Sequence, residues 1–457
     1  MLDEKVLSML DEIIKSVQEC IKIKSVQEEP TEGMPFGQGI HRALEYCLHL
    51  SSSLGFKSVN VDNMIGYAEY GEGEEMIAVL GHLDVVPEGE GWTYPPYGAE
   101  IHNGNIYGRG TIDDKGPLIG ALYALKAIKD LNIPLKRRVR IFFGLNEETG
   151  SNCVKYYVDK GEELPVAGFT PDAGYPIINS EKGIVACCYK RSISQMGDYI
   201  LKSIKGGSAA NVVPDYAQAT VEVPEIKIAE IKRLADETDC IKVAQNNNLL
   251  TIKSYGISAH GSTPQAGKNA ISYLMLFLGK VGFRGDVKEF IDFLNKYIGT
   301  EVYGESLGIY LEDEVSGKLT FNLGTINGDQ NEIKIELNLR YPVTKTLDEF
   351  IYIFREKMSQ GKFVEMYFRY KESLYISPDT EFIKKLQKVY EEKIGEKAEL
   401  ISIGGGTYAK SMKNIVAFGP IFRGEPLVEH KPDEYIKVDS LMKNVQVMAA
   451  AIKELAN

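Results

Sequence analysis

The sequence predicts an α/β protein, a mostly parallel sheet flanked by helices, with an α+β domain inserted in it. Short continuous apolar runs such as Met76–Leu80 alternate with helix-period segments, the pattern of strands buried on both faces. Between about 187 and 375 that texture gives way to alternation: Ile333, Ile335, Leu337 and Leu339 against Glu332, Lys334, Glu336, Asn338 and Arg340. Such a pattern suits half-buried antiparallel strands. A length of 457 residues also exceeds one average domain. The expected boundaries are 1–186 and 377–457 for the two parts of the α/β domain, and 187–376 for the insertion.

Along the chain, 3–23 and 39–54 carry apolar positions at helical spacing. Met76–Leu80 reads as a strand, and Pro117–Leu131 as a helix with proline in its first turn. Val139–Leu145, Val166–Phe169 and Ile415–Phe418 read as further strands, and Thr380–Lys393 as a helix that resumes the α/β pattern. No internal repeat or low-complexity segment interrupts this order.

A net charge of −12 disfavours nucleic acid and anionic membrane as partners, because phosphates would be repelled. Carboxylates are, however, what metal cations bind. The acidic start Met-Leu-Asp-Glu-Lys-Val lacks the features of a targeting signal, and no stretch is long and apolar enough to span a membrane. Six cysteines show neither C-x-x-C spacing nor a disulfide framework. A reduced, cytoplasmic protein is the expectation.

Ligands of open α/β sheets bind beyond the carboxyl ends of the strands. His82 and Asp84 follow the first strand, Glu147 and Glu148 the second, Asp172 the third, and His430 comes after the last. Asp113 and Asp114 precede the helix at 117. Taken singly, each has an ordinary explanation: a capped histidine, a solvated turn, acids at a helix start, a turn aspartate. Residues i and i+2 of an extended chain share a side, so Asp84 could orient the His82 ring and free its other nitrogen for a metal. Convergence changes the reading, since gathered carboxylates repel unless cations lie among them. Two divalent ions bring four positive charges, which three carboxylates and one hydroxide would cancel. Mixed imidazole and carboxylate ligation favours zinc, with manganese or cobalt possible, over calcium or magnesium.

The strings G-H-L-D-V-V-P, G-R-G-T-I-D-D-K-G-P, L-N-E-E-T-G-S, T-P-D-A-G-Y-P and V-E-H-K-P-D-E, in this order, resemble the M20 metallopeptidases. They are most similar to bacterial PepV-type dipeptidases, relatives of carnosinase, and the likeness runs over nearly the whole chain. It implies a zinc-exopeptidase-like catalytic domain with a two-lobed lid, and two divalent metals bridged by Asp113, whose bond to Asp114 is cis. His82 and Asp172 complete one metal site, Glu148 and His430 the other; Glu147 is the general base and Asp84 supports His82. In I-S-A-H-G-S-T-P, His260 stabilises the oxyanion. Asn211 and Arg340 hold a substrate carboxylate, and Gly405, Gly406 and Thr407 belong to a substrate-contacting loop. The alternation places Arg340 on the polar face of its strand, outside the core.

The implied activity is hydrolysis of unblocked dipeptides by a monomer whose long lid supplies both His260 and the carboxylate clamp. Its rival is another M20 amidohydrolase, an N-acyl amino acid deacylase or a desuccinylase, which shares the metal motifs. A non-catalytic binding protein is the rival from a different class, and metal-dependent turnover of any amide would exclude it. Nucleotide binding through Gly404–Gly406 is weaker, because the run lacks the Gly-Lys-Ser/Thr ending of a phosphate loop. His41, His49 and His102, on a helix and in a hairpin turn, are assigned no chemistry.

Overall fold

A computed structural model describing residues 1–457 places strand Met76–His82 near the middle of a sheet, buried at every position. Its neighbours Arg138–Gly144 and Ala167–Thr170 run parallel to it, and Ile415–Ala417 runs parallel to the latter. Both faces are covered, which is why Met76–Leu80 is apolar throughout and Arg138–Gly144 is apolar from Ile141 on, with the buried Arg140 paired to Glu69. Parallel pairing stops at the margins. Lys57–Val61 and Ile65–Tyr70 form a hairpin that adds antiparallel to Arg138–Gly144, and Ile177–Glu181 adds antiparallel to Ile415–Ala417.

Helix Lys115–Asp130 packs against the C-terminal helix Val438–Leu455 and against Leu10–Ile21. Each fully buried Leu, Ile or Val in these contacts contributes about 1.5–3 kcal/mol. The stretch read as one helix over 3–23 is two, Leu2–Leu7 and Leu10–Ile21, separated where Met9 turns its side chain into the core.

This sheet and its helices form one compact unit, Met1–Asn179, Ile376–Ile401 and Gly406–Asn457. Ser180–Tyr375 with Ser402–Gly405 form the other. The insertion thus begins some residues before the predicted 187, because Gly183–Ser192 is already a strand of the second unit's sheet. Its start, Gly-Ile-Val-Ala-Cys-Cys, reads like another continuous apolar strand.

The second unit is built on eight antiparallel strands in the order 241–246, 249–255, 216–222, 200–206, 320–329, 332–341, 183–192 and 364–371. Its two halves meet through a short ladder, Ser203–Gly206 against Ile326–Asp329. Helix Ala270–Leu278 covers strands Tyr216–Glu222 and Leu249–Tyr255 in one half. Alternation in Glu332–Tyr341 holds as far as Leu337; from there both faces are buried, Asn338 and Arg340 included. No helix of the chain is long and apolar enough to cross a membrane.

The last residue of strand Arg138–Gly144 illustrates how tightly the first unit is packed behind its strand ends. A methyl group on Gly144 would overlap the Tyr408 hydroxyl. That hydroxyl is hydrogen-bonded to Cys153 Sγ at 3.0 Å, and the Tyr408 ring stands edge-on to His82 with centroids 5.9 Å apart. Gly144→Ala should therefore destabilise the protein by about 1–3 kcal/mol, the ordinary cost of overpacking. Chemical denaturation monitored by circular dichroism checks this through a lowered midpoint.

Candidate active site

The parallel strands end together, and the loops that follow them carry the polar clusters. His82, the final residue of its strand, is fully buried. Its Nδ1 lies 2.9 Å from the backbone carbonyl of Asp84, which sets Nδ1 as the N–H donor. Nε2 then faces Asp113 Oδ1 at 3.0 Å and Asp172 Oδ1 at 3.5 Å. A bare lone pair cannot sit against two carboxylates; the position calls for a proton or a metal ion.

A second group adjoins the first. His430 Nε2 is 3.0 Å from Asp113 Oδ2 and 3.2 Å from Glu148 Oε1. One ligand atom from each of His82, Asp113 and Asp172, or of Asp113, Glu148 and His430, can lie within 4.8 Å of the others. Asp113 is common to both sets, one oxygen turned to each histidine. The peptide bond Asp113–Asp114 is cis, and His430 has φ 62°, a left-handed conformation uncommon outside glycine and asparagine.

The charges of the group fit a cation. Burial pushes the Asp172 carboxyl up to about 6, against the pull of His82 and helped by Asp113 and Glu148. Burial, followed by the charge of Asp172, pushes Glu147 up to about 8. Burial acts on Asp113 too, but hydrogen bonds with His430 and His82 hold it well below the usual carboxylate range. Hydrogen bonds to Asp113 and to Glu148 raise His430 to about 10. His82 also rises, despite its burial, through the charge of Asp172 and hydrogen bonds to the acids around it. Without metal, then, the cluster gathers protons on its imidazoles and carboxyls. Divalent ions would supply the same positive charge, and the donor set of two imidazoles and three carboxylates suits them.

Asp84 stands against the His82 ring and has a further role besides. The His82 ring is held by the Asp84 backbone carbonyl, while the carboxylate stands 3.5 Å from the same nitrogen. Its oxygens also accept from the backbone N–H groups of Glu147 and Glu148, each at 3.0 Å. Asp84 therefore fixes the turn that presents both glutamates. Asn146, buried beside it, strengthens that turn by donating to Gln27 Oε1 at 2.8 Å and accepting from Asn152 N at 2.8 Å.

The second unit carries its own polar group. Arg340 is only 5% exposed and has no acidic partner; Nε donates to Asn338 Oδ1 at 2.9 Å and Nη1 to the Gly404 carbonyl at 3.3 Å. The strand's polar face is thus covered at Arg340, which leaves a desolvated cation able to receive an anion. His260 is exposed over much of its surface and pairs through Nδ1 with Ser262 Oγ at 2.7 Å; partial desolvation of the ring, then the charge of Arg340, lower its pKa. Asn211, also exposed, accepts from Gly261 N at 2.7 Å through its backbone carbonyl, beside the bridge of Val212 to His260.

Within the glycine run it is Gly404, rather than Gly405 or Gly406, whose carbonyl meets Arg340. Thr407 caps the short turn Tyr408–Ser411 by accepting from Ala409 N. His41 and His49 lie on helix Gln38–Ser53, and His102 ends a short strand and pairs with Glu100 at 2.8 Å.

Comparison with known proteins agrees with this geometry. The chain is 41% identical over 462 residues to the YtjP protein of Bacillus subtilis (strain 168), spanning 99% of each. It is 35% identical over 453 residues to the Beta-Ala-Xaa dipeptidase of Lactobacillus delbrueckii subsp. lactis, 97% of this chain and 96% of that one. Among solved structures, human carnosine dipeptidase 1 shares the fold with a TM-score of 0.58 at 14% identity, covering 100% and 99% of the two chains. An M20 family metallo-carboxypeptidase from Sulfolobus solfataricus does so with a TM-score of 0.59 at 17% identity, covering 97% and 99%. Residues 78–454, which contain both histidine–carboxylate groups, match peptidase family M20/M25/M40, and the chain belongs to that family.

Proposed function

We propose that the protein is a dinuclear metal-dependent dipeptidase that hydrolyses the peptide bond of unblocked dipeptides. The observation that carries this reading is the pair of ligand groups joined at Asp113. Its full-length likeness to a Beta-Ala-Xaa dipeptidase supports the substrate class. His82, Asp113 and Asp172 would hold one ion and Asp113, Glu148 and His430 the other, with zinc the best match and manganese or cobalt able to replace it. When bound, the ions supply acidity to a water and polarise the scissile carbonyl.

The chain's own residues do the rest. Glu147, beside the ligands and positioned by Asp84, takes a proton from the attacking water and returns it to the leaving amine. Arg340 and Asn211 hold the substrate's terminal carboxylate; a buried guanidinium without an acidic partner is suited to that task. His260 donates to the carbonyl oxygen as negative charge develops there. Gly405, Gly406 and Thr407 line the same substrate. The long insertion supplies these groups within one chain, so the active form is a monomer. Six free, buried cysteines suit the reducing cytoplasm.

Metal-stripped protein refilled with one cation at a time, then assayed on dipeptides and on N-acyl amino acids, tests the proposal. Dipeptide turnover restored by zinc, manganese or cobalt is expected. Turnover restricted to N-acyl amino acids would replace dipeptidase with deacylase. Sedimentation showing an obligate dimer would remove the monomer.

Metal removal should also change the pH dependence of stability. In the folded metal-free protein Glu147 and Asp172 titrate at about 8 and about 6, above their ordinary 4.5 and 3.8. The folded state keeps these protons longer than the unfolded chain, so stability falls as pH rises through that window. His430, raised from 6.5 to about 10, acts in the same sense, fully stabilising below 6.5 and losing its contribution as pH climbs toward 10. Melting temperature should thus decline from pH 5 to pH 8 in chelated protein, and more steeply than in metal-loaded protein. Parallel declines would contradict metal binding at these groups.

A further inference from the structure

Glu434 follows His430 closely in the chain and is completely buried. Its Oε1 accepts from the backbone N–H groups of Gly110 at 2.9 Å, Ile112 at 3.1 Å and Asp113 at 3.4 Å. Its Oε2 accepts from Arg109 Nη1 at 2.6 Å, and its backbone carbonyl from Gly108 N at 2.9 Å. Buried backbone donors must find partners, and for the segment leading to Asp113 this one glutamate provides most of them.

Arg109 is equally enclosed, 1% exposed, and reaches outward from the pair. It donates to the carbonyls of Lys431 and Glu88, each at 3.3 Å, and its guanidinium lies 5.3 Å from the Trp92 ring centre. A buried ion pair by itself is weak evidence of importance, since apolar residues can often replace one. Here the carboxylate is spent on the backbone of a ligand-bearing loop. It joins the segment that carries His430 to the segment that carries Asp113, and it touches none of the reacting groups.

We infer that Glu434 is a positioning residue: its carboxylate fixes the 110–113 backbone so that Asp113 lies between His82 and His430, and Arg109 holds the carboxylate in place. This rests on the reading of Asp113 and His430 as metal ligands, and a wild-type protein that binds no zinc or manganese would remove that reading first. Groups that orient metal ligands typically affect affinity by about 10–100-fold.

The test compares two double variants that both avoid an orphaned buried charge. Arg109→Met with Glu434→Gln keeps an oxygen for the Gly110 and Ile112 N–H groups; Arg109→Met with Glu434→Leu does not. Zinc and manganese affinities are measured by chelator competition on the folded, metal-stripped proteins, with kcat and KM for a dipeptide and melting temperature recorded alongside. The leucine pair should lose about 10–100-fold in metal affinity, with kcat falling and KM nearly unchanged. The glutamine pair should stay within a few-fold of wild type. No loss in the leucine pair, or an equal loss in both, overturns the inference, whatever the melting temperatures. If the leucine pair does not fold, Glu434→Gln alone decides, because its single amide oxygen cannot serve both Arg109 and the backbone. A tenfold or greater loss of affinity there supports the positioning role, and wild-type affinity ends it.

Discussion

Glu147→Gln should retain its bound metal and lose roughly 10²–10⁴-fold in turnover, the usual contribution of a positioned general base. Glutamine has nearly the same shape, and the backbone N–H of residue 147 would still donate to Asp84. What disappears is the ability to accept a proton. Glu147 belongs to neither ligand group, so its neutralisation need not disturb them. Burial and neighbouring carboxylates hold its pKa near 8 in the metal-free protein, and bound cations would draw it down toward the range in which a base works at neutral pH. Elemental analysis of the purified variant, together with its kcat on a dipeptide, gives the answer. Near wild-type turnover with metal bound would assign the proton transfer elsewhere.

Asp113→Ala should be more damaging to binding than loss of any other ligand, because Asp113 alone is shared by both groups. Its two oxygens lie 3.0 Å from His82 and 3.0 Å from His430. Removing it deletes one donor from each site and the negative charge between them. Affinity for zinc or manganese should fall by more than about 100-fold, beyond what a group one step removed from the ion would cause. Asp172→Ala, which touches only the His82 group, is the control and should leave the Glu148–His430 side able to bind. Equilibrium dialysis separates the two. Wild-type stoichiometry and affinity in Asp113→Ala would refute a shared ligand.

The parallel centre of the fold was legible because strands buried on both faces are predominantly apolar, as Met76–Leu80 is throughout. The antiparallel margins were not, since Lys57–Val61 is largely exposed and polar and shows no such run. Polar residues at the ends of apolar strands pointed to the gathered histidines and carboxylates, while their ordering relied on the motif resemblance. Local spacing put Asp84 beside the His82 ring and missed its second contact, because i and i+2 geometry says nothing of backbone N–H groups arriving from a turn 63 residues away. For Arg340 alternation gave the face and no more: it cannot report that this face is covered at one end. Glu434 left almost no signal of its own. An acid a few residues past a candidate histidine gives no indication that it gathers backbone donors from residues 110–113.

Strand Ile415–Ala417 pairs with Ala167–Thr170 across the whole inserted unit, and His430 lies beyond it. During synthesis, therefore, the sheet has no occupant for that position, and the Asp113–Glu148 group lacks its histidine, until the whole inserted unit has been made. Pairings so distant in sequence also make for slow closure. A chain terminated before that point would carry His82, Asp113 and Asp172 yet miss the closing element, so both histidine–carboxylate groups assemble only after the inserted unit has been passed.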